Sequence, residues 1–189
     1  MYLTIPNLLT LMRIMLVPVF AISVWYGYMA VACVLFAIAG LTDLLDGFIA
    51  RRLNQSSSLG AFLDPMADKL LMTVAFLLLS MRGAHLAIAI PIWVAILAIS
   101  RDVIISLFAL SAPSGTDPSR LKPSMLGKVT TGVELVVISL ALLSNAIAPA
   151  ELLNIFFPWS FYLVACFVMA SGLHYFFRAA SVPKSDARR

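Results

Sequence analysis

The sequence predicts an all-α integral membrane protein with six transmembrane helices. Of its 189 residues, 62% are hydrophobic and only 12% are charged, whereas a soluble domain carries about 25% charged residues. The mean hydropathy is +1.01. The apolar runs lack the strand-like alternation of a membrane barrel, and a helix is the other structure that satisfies its own backbone in lipid.

Six apolar runs are each long enough to cross a bilayer, which takes about 20 residues. They cover 5–25, 28–50, 59–81, 85–111, 124–147 and 152–178, separated by polar or turn-like pieces. Residues 1–12 stay open to two interpretations, as the start of the first span or as a short helix lying in the membrane interface. We expect one membrane domain over 1–181 and a cytoplasmic tail over 182–189.

The basic residues predict the orientation of these spans. With six spans, both termini lie on one side, together with the second–third and fourth–fifth connections. Of the thirteen Lys and Arg residues, all but Arg82 fall on that side. Because short cytoplasmic loops are rich in Lys and Arg, we expect both termini and the active site to face the cytoplasm, in a bacterial inner membrane.

Four aspartates lie between the second and third spans, where the chain should approach a membrane boundary. Asp43 and Asp46 are three residues apart, and Asp64 and Asp68 are four apart, so each pair shares one helix face. We call these four residues the acid cluster. So many carboxylates at such a boundary require a counter-charge.

Hard divalent cations, Mg²⁺ or Mn²⁺, fit this cluster better than zinc, because no His or Cys is near in sequence. Two such ions held by carboxylates form a device that activates a hydroxyl and holds a phosphoryl group during in-line displacement. The alternative is a structural charge cluster in which the acids pair with Arg51, Arg52 and Lys69.

The spacing of eight residues around the acid cluster resembles the signature of the CDP-alcohol phosphatidyltransferases. The matching positions are Asp43, Asp46, Gly47, Ala50, Arg51, Gly60, Asp64 and Asp68. The resemblance implies a reaction in which an acceptor hydroxyl attacks the lipid-side phosphate of a CDP-linked lipid and CMP is released. It implies that the acid cluster ligates the metals, that Asp68 is also the general base, and that the CDP-binding residues are Gly47, Ala50, Arg51 and Gly60.

Other segments are similar to one branch of that family, the CMP-forming cardiolipin synthases. These are "IPNLLTLMR" at 5–13, "ISRDV" at 99–103 and "RLKPSMLGKVTTGVEL" at 120–135. They imply CDP-diacylglycerol as donor and phosphatidylglycerol as acceptor. The phosphatidylglycerol phosphate synthases share "GAFLDPMADK" and a "GKVTT" element, so glycerol 3-phosphate stays open as the alternative acceptor. Glu134 stands where relatives are expected to have Gln.

Four basic residues are candidates for binding the acceptor phosphate: Arg13, Arg101, Lys122 and Lys128. Each has an alternative role, as an interface anchor for Arg13, as a partner of Asp102 for Arg101, and as a topology-setting charge for the lysines. The resemblance also implies a homodimer among membrane lipids, and no nucleic-acid partner is expected. A divalent-cation transporter is the remaining alternative, because acids in membrane helices also mark ion pathways.

Overall fold

The described residues form six helices. The computed structural model describes the backbone of 5–53, 58–81, 86–110, 124–147 and 151–180, and within these ranges the side chains of 8–43, 63, 65–81, 86–107, 124–147 and 155–177. The helices are α1 (Ile5–Trp25), α2 (Met29–Leu53), α3 (Ser58–Ser80), α4 (Ile92–Leu110), α5 (Met125–Ile147) and α6 (Glu151–Ala180). The prediction of an all-helical chain is therefore confirmed over the described ranges.

Three stretches within these helices are long and apolar enough to cross a membrane: Leu8–Trp25, Met125–Ile147 and Ile155–Phe177. A shorter apolar stretch, Met29–Asp43, lies in α2. These lengths and compositions identify a membrane protein, while a crossing by all six helices stays a prediction. Residues 5–12 belong to the same continuous helix as 13–25, so a separate interfacial helix over them is not observed.

The helices are arranged as a closed bundle. Helix α1 contacts α2 and α3, α2 contacts α5, α5 contacts α6, α6 contacts α4, and α4 contacts α3. Helices α3 and α5 also touch each other. The ring order is therefore α1, α2, α5, α6, α4, α3, which brings the helices that carry the predicted acids next to both α1 and α5.

A glycine turn reverses the chain between α1 and α2. Gly27 has a φ of 78°, a left-handed conformation that glycine adopts without a Cβ clash. The amide of Gly27 donates to the carbonyl of Val24 at 3.1 Å, and the amide of Tyr28 donates to that of Ser23 at 2.8 Å. This pair of bonds closes the last turn of α1 in a Schellman motif.

The predicted fourth span begins later than expected, because residues 86–91 are not helical. The side chain of Asn145 bonds to Ile88 twice, accepting from its amide at 3.0 Å and donating to its carbonyl at 2.8 Å. The amide of Ile90 donates to the carbonyl of Leu79. These bonds hold the segment between the ends of α3 and α5, and α4 starts only after Pro91, which has no amide hydrogen to donate.

The bundle is apolar outside and has polar side chains among its buried residues. Phe20, Phe76, Leu79, Ile138 and Val164 are buried in the core. Large apolar residues such as Met15, Ile22 and Phe176 are exposed, as expected for a surface that faces lipid. The buried set also includes Arg13, Arg101 and Glu134, which are unusual in a protein core unless paired or functional.

Candidate functional site

One arginine joins the two halves of the acid cluster. Arg13 Nη1 lies 2.9 Å from Asp43 Oδ1 and 2.7 Å from Asp68 Oδ1. Asp43 comes from α2, Asp68 from α3, and Arg13 from α1, which contacts both helices. The structure therefore brings together two acids that are 25 positions apart in sequence.

Burial differs between the partners of this arginine. The Arg13 side chain is 0% exposed, whereas the side chains of Asp43 and Asp68 are 35% and 45% exposed. The guanidinium thus lies on the inner side of the two carboxylates, and the carboxylates keep an open side. The sequence predicts Arg13 as a contact of the acceptor phosphate, and it does not predict the bridge between the two acids.

The remaining residues of the eight-position pattern lie in the same two helices. The backbones of Asp46, Gly47, Ala50 and Arg51 belong to α2, and those of Gly60 and Asp64 belong to α3. Their side chains lie outside the described part, so their predicted roles stay predictions. Both halves of the pattern are therefore on helices, which is the condition for each pair of aspartates to share one face.

The chemistry of the donor set fits a hard divalent cation. Asp43 and Asp68 approach the same guanidinium nitrogen, so their carboxylates converge and offer only oxygen ligands, as Mg²⁺ and Mn²⁺ prefer. Among the side chains that the structure describes, no three acidic, His or Cys residues form a metal-sized group. A complete ligand set needs Asp46 or Asp64, whose side chains are outside that part.

A second buried arginine organises the contact between α4, α5 and α6. Arg101 Nη1 lies 2.6 Å from Asp102 Oδ1, and its Nη2 donates to Ser171 Oγ at 2.9 Å and to the carbonyl of Gly127 at 3.4 Å. We call Arg101, Asp102, Gly127 and Ser171 the arginine corner. Arg101 is only 8% exposed. It does pair with Asp102, and it also reaches two other helices, which a pair confined to α4 does not require.

Gly127 leaves the space that Arg101 occupies. A Cβ at this position would lie 3.3 Å from Arg101 Nη2 and 3.3 Å from Ser124 Oγ, which is tighter than ordinary contact. Ser124 caps α5 by accepting from the Gly127 amide at 3.0 Å. Its own amide donates to the Tyr175 hydroxyl at 3.0 Å. The start of α5 is thereby fixed against both Arg101 and α6.

A polar contact links α3 to α4, next to Asp68 of the acid cluster and Asp102 of the arginine corner. Lys69, the residue after Asp68, donates from Nζ to Ser106 Oγ, and Ser106 Oγ donates to the Asp102 carbonyl at 2.6 Å. The helix that carries Asp68 is therefore tied to the helix turn that carries Asp102. Sequence reasoning missed Ser106, Ser171 and Tyr175, because single polar residues in apolar runs have no pattern that separates them from ordinary helix serines and tyrosines.

Of the two predicted lysines, the structure describes only Lys128. Lys122 lies outside the described residues. Lys128 is exposed at the start of α5, and its amide donates to the carbonyl of Ser124 at 3.1 Å. Their predicted contacts with an acceptor phosphate therefore stay predictions, while Arg13 and Arg101 are the predicted acceptor residues that the structure places in buried polar environments.

Comparison with known proteins gives one family. The model of the CDP-alcohol phosphatidyltransferase family matches residues 3–177 of this chain. This range includes the acid cluster, the arginine corner and parts of all six described helices.

The similar curated proteins carry two different names. A CDP-diacylglycerol–glycerol-3-phosphate 3-phosphatidyltransferase from Pseudomonas fluorescens is 35% identical over 192 residues, which covers 98% of this chain and 94% of that protein. The CMP-forming cardiolipin synthase of Rattus norvegicus is 37% identical over 82% of this chain and 55% of that protein. The Homo sapiens enzyme of that name is 36% identical over 84% and 56%. The chain thus spans about half the length of the two mammalian relatives.

Proposed function

Because the chain belongs to the CDP-alcohol phosphatidyltransferase family, we propose that it transfers a phosphatidyl group from CDP-diacylglycerol to phosphatidylglycerol, giving cardiolipin and CMP. The family and the relatives' names identify a CMP-forming transferase. The choice of acceptor is the proposal, because the similar proteins include one named for glycerol 3-phosphate and others named as cardiolipin synthases.

The charge of the arginine corner supports a lipid acceptor. Arg101 and Arg13 are the buried basic residues among the described side chains. Arg13 is shared by Asp43 and Asp68, and Arg101 already faces Asp102 at 2.6 Å. A partly neutralised arginine suits the single charge of a phosphodiester such as phosphatidylglycerol. Glycerol 3-phosphate carries a phosphomonoester of about two negative charges near pH 7, so Arg101 alone matches its charge less well and the two lysines would have to supply the rest.

The acid cluster supports the transfer step. Members of this family generally use divalent metals, and such ions, bound by Asp43, Asp46, Asp64 and Asp68, would supply charge neutralisation for the transferred phosphate and activation of the hydroxyl. We assign two ions by the number of carboxylates. Arg13 holds Asp43 and Asp68 in register from the inner side, and their open side faces the ligand. Asp68 accepts the proton of the attacking hydroxyl, and Gly47, Ala50, Arg51 and Gly60 bind the cytidine diphosphate.

In this scheme Arg101 orients the acceptor by its phosphate, with Arg13, Lys122 and Lys128 as further phosphate contacts. Holding the hydroxyl beside the donor converts the reaction into an effectively unimolecular step. We further propose six membrane-spanning helices within a domain over 1–181, both termini and the site on the cytoplasmic face of a bacterial inner membrane, and a homodimer.

A single assay separates the two acceptors. The purified protein is given labelled CDP-diacylglycerol, Mg²⁺ or Mn²⁺, and either phosphatidylglycerol or glycerol 3-phosphate, and the lipid product is identified by mass spectrometry. We expect cardiolipin and stoichiometric CMP with phosphatidylglycerol. Product with glycerol 3-phosphate alone would contradict the proposed acceptor and favour the second candidate, phosphatidylglycerol phosphate synthase, which the nearly full-length match to the Pseudomonas protein supports.

The transport alternative is tested with the same protein in vesicles. Metal flux into proteoliposomes without any CMP release from CDP-diacylglycerol would favour a cation transporter. Because Asp43 and Asp68 converge on Arg13 at one level of the bundle, we expect CMP release and no flux.

A further inference from the structure

One face of α5 carries a buried polar stripe. Gly127, Thr130 and Glu134 are buried members of that helix, at spacings of three and four that place them on one side. Thr130 Oγ1 has partners, since it contacts the carbonyls of Leu126 at 2.8 Å and Phe167 at 3.3 Å. Glu134 is only 1% exposed, yet its Oε1 has no hydrogen-bond partner in the described part of the chain.

Arg101 has a buried hydrogen-bond donor that complements the carboxyl oxygen of Glu134. Its Nε is buried and lacks a hydrogen-bond partner among the described residues, although both of its terminal nitrogens are bonded. Glu134 lies close enough to Arg101 and Asp102 for their charges to act on its carboxyl. The arginine corner and Glu134 together therefore present one unused N–H donor and one unused carboxyl acceptor. Buried polar atoms normally have partners, because leaving them unpaired is costly.

Glu134 also lies at the depth of the predicted reaction centre. At 1.5 Å per residue, Asp68 is about 18 Å along α3 from Ser80, and Glu134 is about 17 Å along α5 from Asn145. Ser80 and Asn145 belong to the same end of the bundle, since the segment 86–91 bonds to Leu79 and to Asn145. Helix α5 contacts both α2 and α3. Glu134 is therefore about level with Asp68 along the bundle.

A ligand that satisfies both atoms brings an acceptor oxygen, such as that of a phosphate, to Arg101 Nε and a hydroxyl hydrogen to Glu134 Oε1. We propose that Glu134 is a specificity residue for the acceptor, and that its carboxyl accepts a hydrogen bond from the secondary hydroxyl of the acceptor's glycerol, beside the phosphate held by Arg101. This rests on the proposed function. Both candidate acceptors contain a glycerol phosphate, so the assignment holds for either one.

The test compares acceptors that differ by this one hydroxyl. Phosphatidylglycerol is compared with phosphatidyl-1,3-propanediol, and glycerol 3-phosphate with 3-hydroxypropyl phosphate, by measuring kcat/KM for CMP release. The wild-type protein is expected to prefer the glycerol acceptor by about 10- to 100-fold, because the acceptor without the hydroxyl leaves a buried carboxyl oxygen unpaired. Glu134→Ala should reduce the preference to about 1- to 3-fold by removing that partner. Glu134→Gln, which retains an acceptor oxygen, should keep part of it.

Each outcome decides the proposal. A wild-type protein that uses the two acceptors equally well overturns it, and this comparison does not depend on any variant folding. Glu134 variants that lose activity equally on both acceptors also overturn it, since Glu134 is then structural. Absence of CMP release with every acceptor refutes the proposed function itself, and the specificity assignment falls with it.

Discussion

In the acid cluster one fully buried guanidinium serves two carboxylates from two helices, whereas in the arginine corner one guanidinium serves a single carboxylate and two neutral oxygens. Arg13 is 0% exposed beside acids that are 35% and 45% exposed. Arg101 is 8% exposed beside Asp102 at 21%. The acid cluster keeps negative charge on its open side, and the corner pairs its charges internally.

Arginine therefore has a different role in each of the two regions. Surplus carboxylate on an open side attracts cations, so the acid cluster suits metal-assisted chemistry. A paired arginine with an unused N–H suits a weakly charged ligand that is held by hydrogen bonds as much as by charge. If this contrast is correct, changes in the acid cluster should affect turnover and stability, and changes in the corner should affect acceptor binding.

The largest expected effect is on turnover in Asp68→Asn. The amide oxygen still accepts from Arg13, so the bridge to α1 persists, but the side chain can no longer take a proton. We expect kcat to fall by about 10²- to 10⁴-fold, the range for removing a general base, with a thermal midpoint close to that of the wild-type protein. The measurement is single-turnover CMP release.

Asp102→Asn is the matched change in the arginine corner. It leaves Arg101 less neutralised, so we expect KM for the acceptor to change by up to about 10-fold, with kcat within about 3-fold of the wild-type value. Equal losses of kcat in Asp68→Asn and Asp102→Asn would remove the functional distinction between the two regions.

The second largest effect is on stability in Arg13→Met. The methionine fills much of the volume but leaves Asp43 and Asp68 facing each other without their shared cation. Breaking a buried ion pair costs about 3–5 kcal/mol, and we expect the lower end, because both carboxylates are partly exposed. In detergent this corresponds to a thermal midpoint lowered by roughly 6–12 °C.

Arg13→Lys is the control, because it keeps the charge but replaces the planar guanidinium, whose Nη1 contacts both acids, with an ammonium on a flexible stem. Its midpoint should lie between those of Arg13→Met and the wild-type protein. A wild-type midpoint in Arg13→Met would show that the bridge contributes nothing to stability.

The acid cluster could be predicted from the sequence because its residues lie within one short stretch at helical spacing. Helix geometry then requires each pair to share a face, and a returning helix brings Asp68 toward Asp43. The placement of Arg13 could not be derived in this way, since its two contacts join residues that are far apart in sequence and depend on how α1 packs between α2 and α3.

The arginine corner was predictable only in part. Arg101 stands out as a charge within an apolar run, but its partners Gly127 and Ser171 come from two other helices and are small residues of a kind common in membrane helices. The start of α4 was also missed, because the apolar run 85–111 continues through residues 86–91. The bonds from Asn145 to Ile88 that hold those residues out of a helix involve a residue 57 positions away, and hydropathy carries no sign of them.

The smallest expected effect compares two glycines of α5. Gly127→Ala places a methyl group 3.3 Å from Arg101 Nη2, so the guanidinium must shift by a few tenths of an ångström, and we expect KM for the acceptor to rise by about 3- to 10-fold. Gly132 has nothing within 4 Å of the corresponding position. Gly132→Ala should therefore leave KM unchanged and raise stability by about 0.5–1 kcal/mol, through the lower backbone entropy of the unfolded chain. Steady-state kinetics and thermal midpoints of both variants check this, and equal KM values would mean that the position of Arg101 does not control acceptor binding.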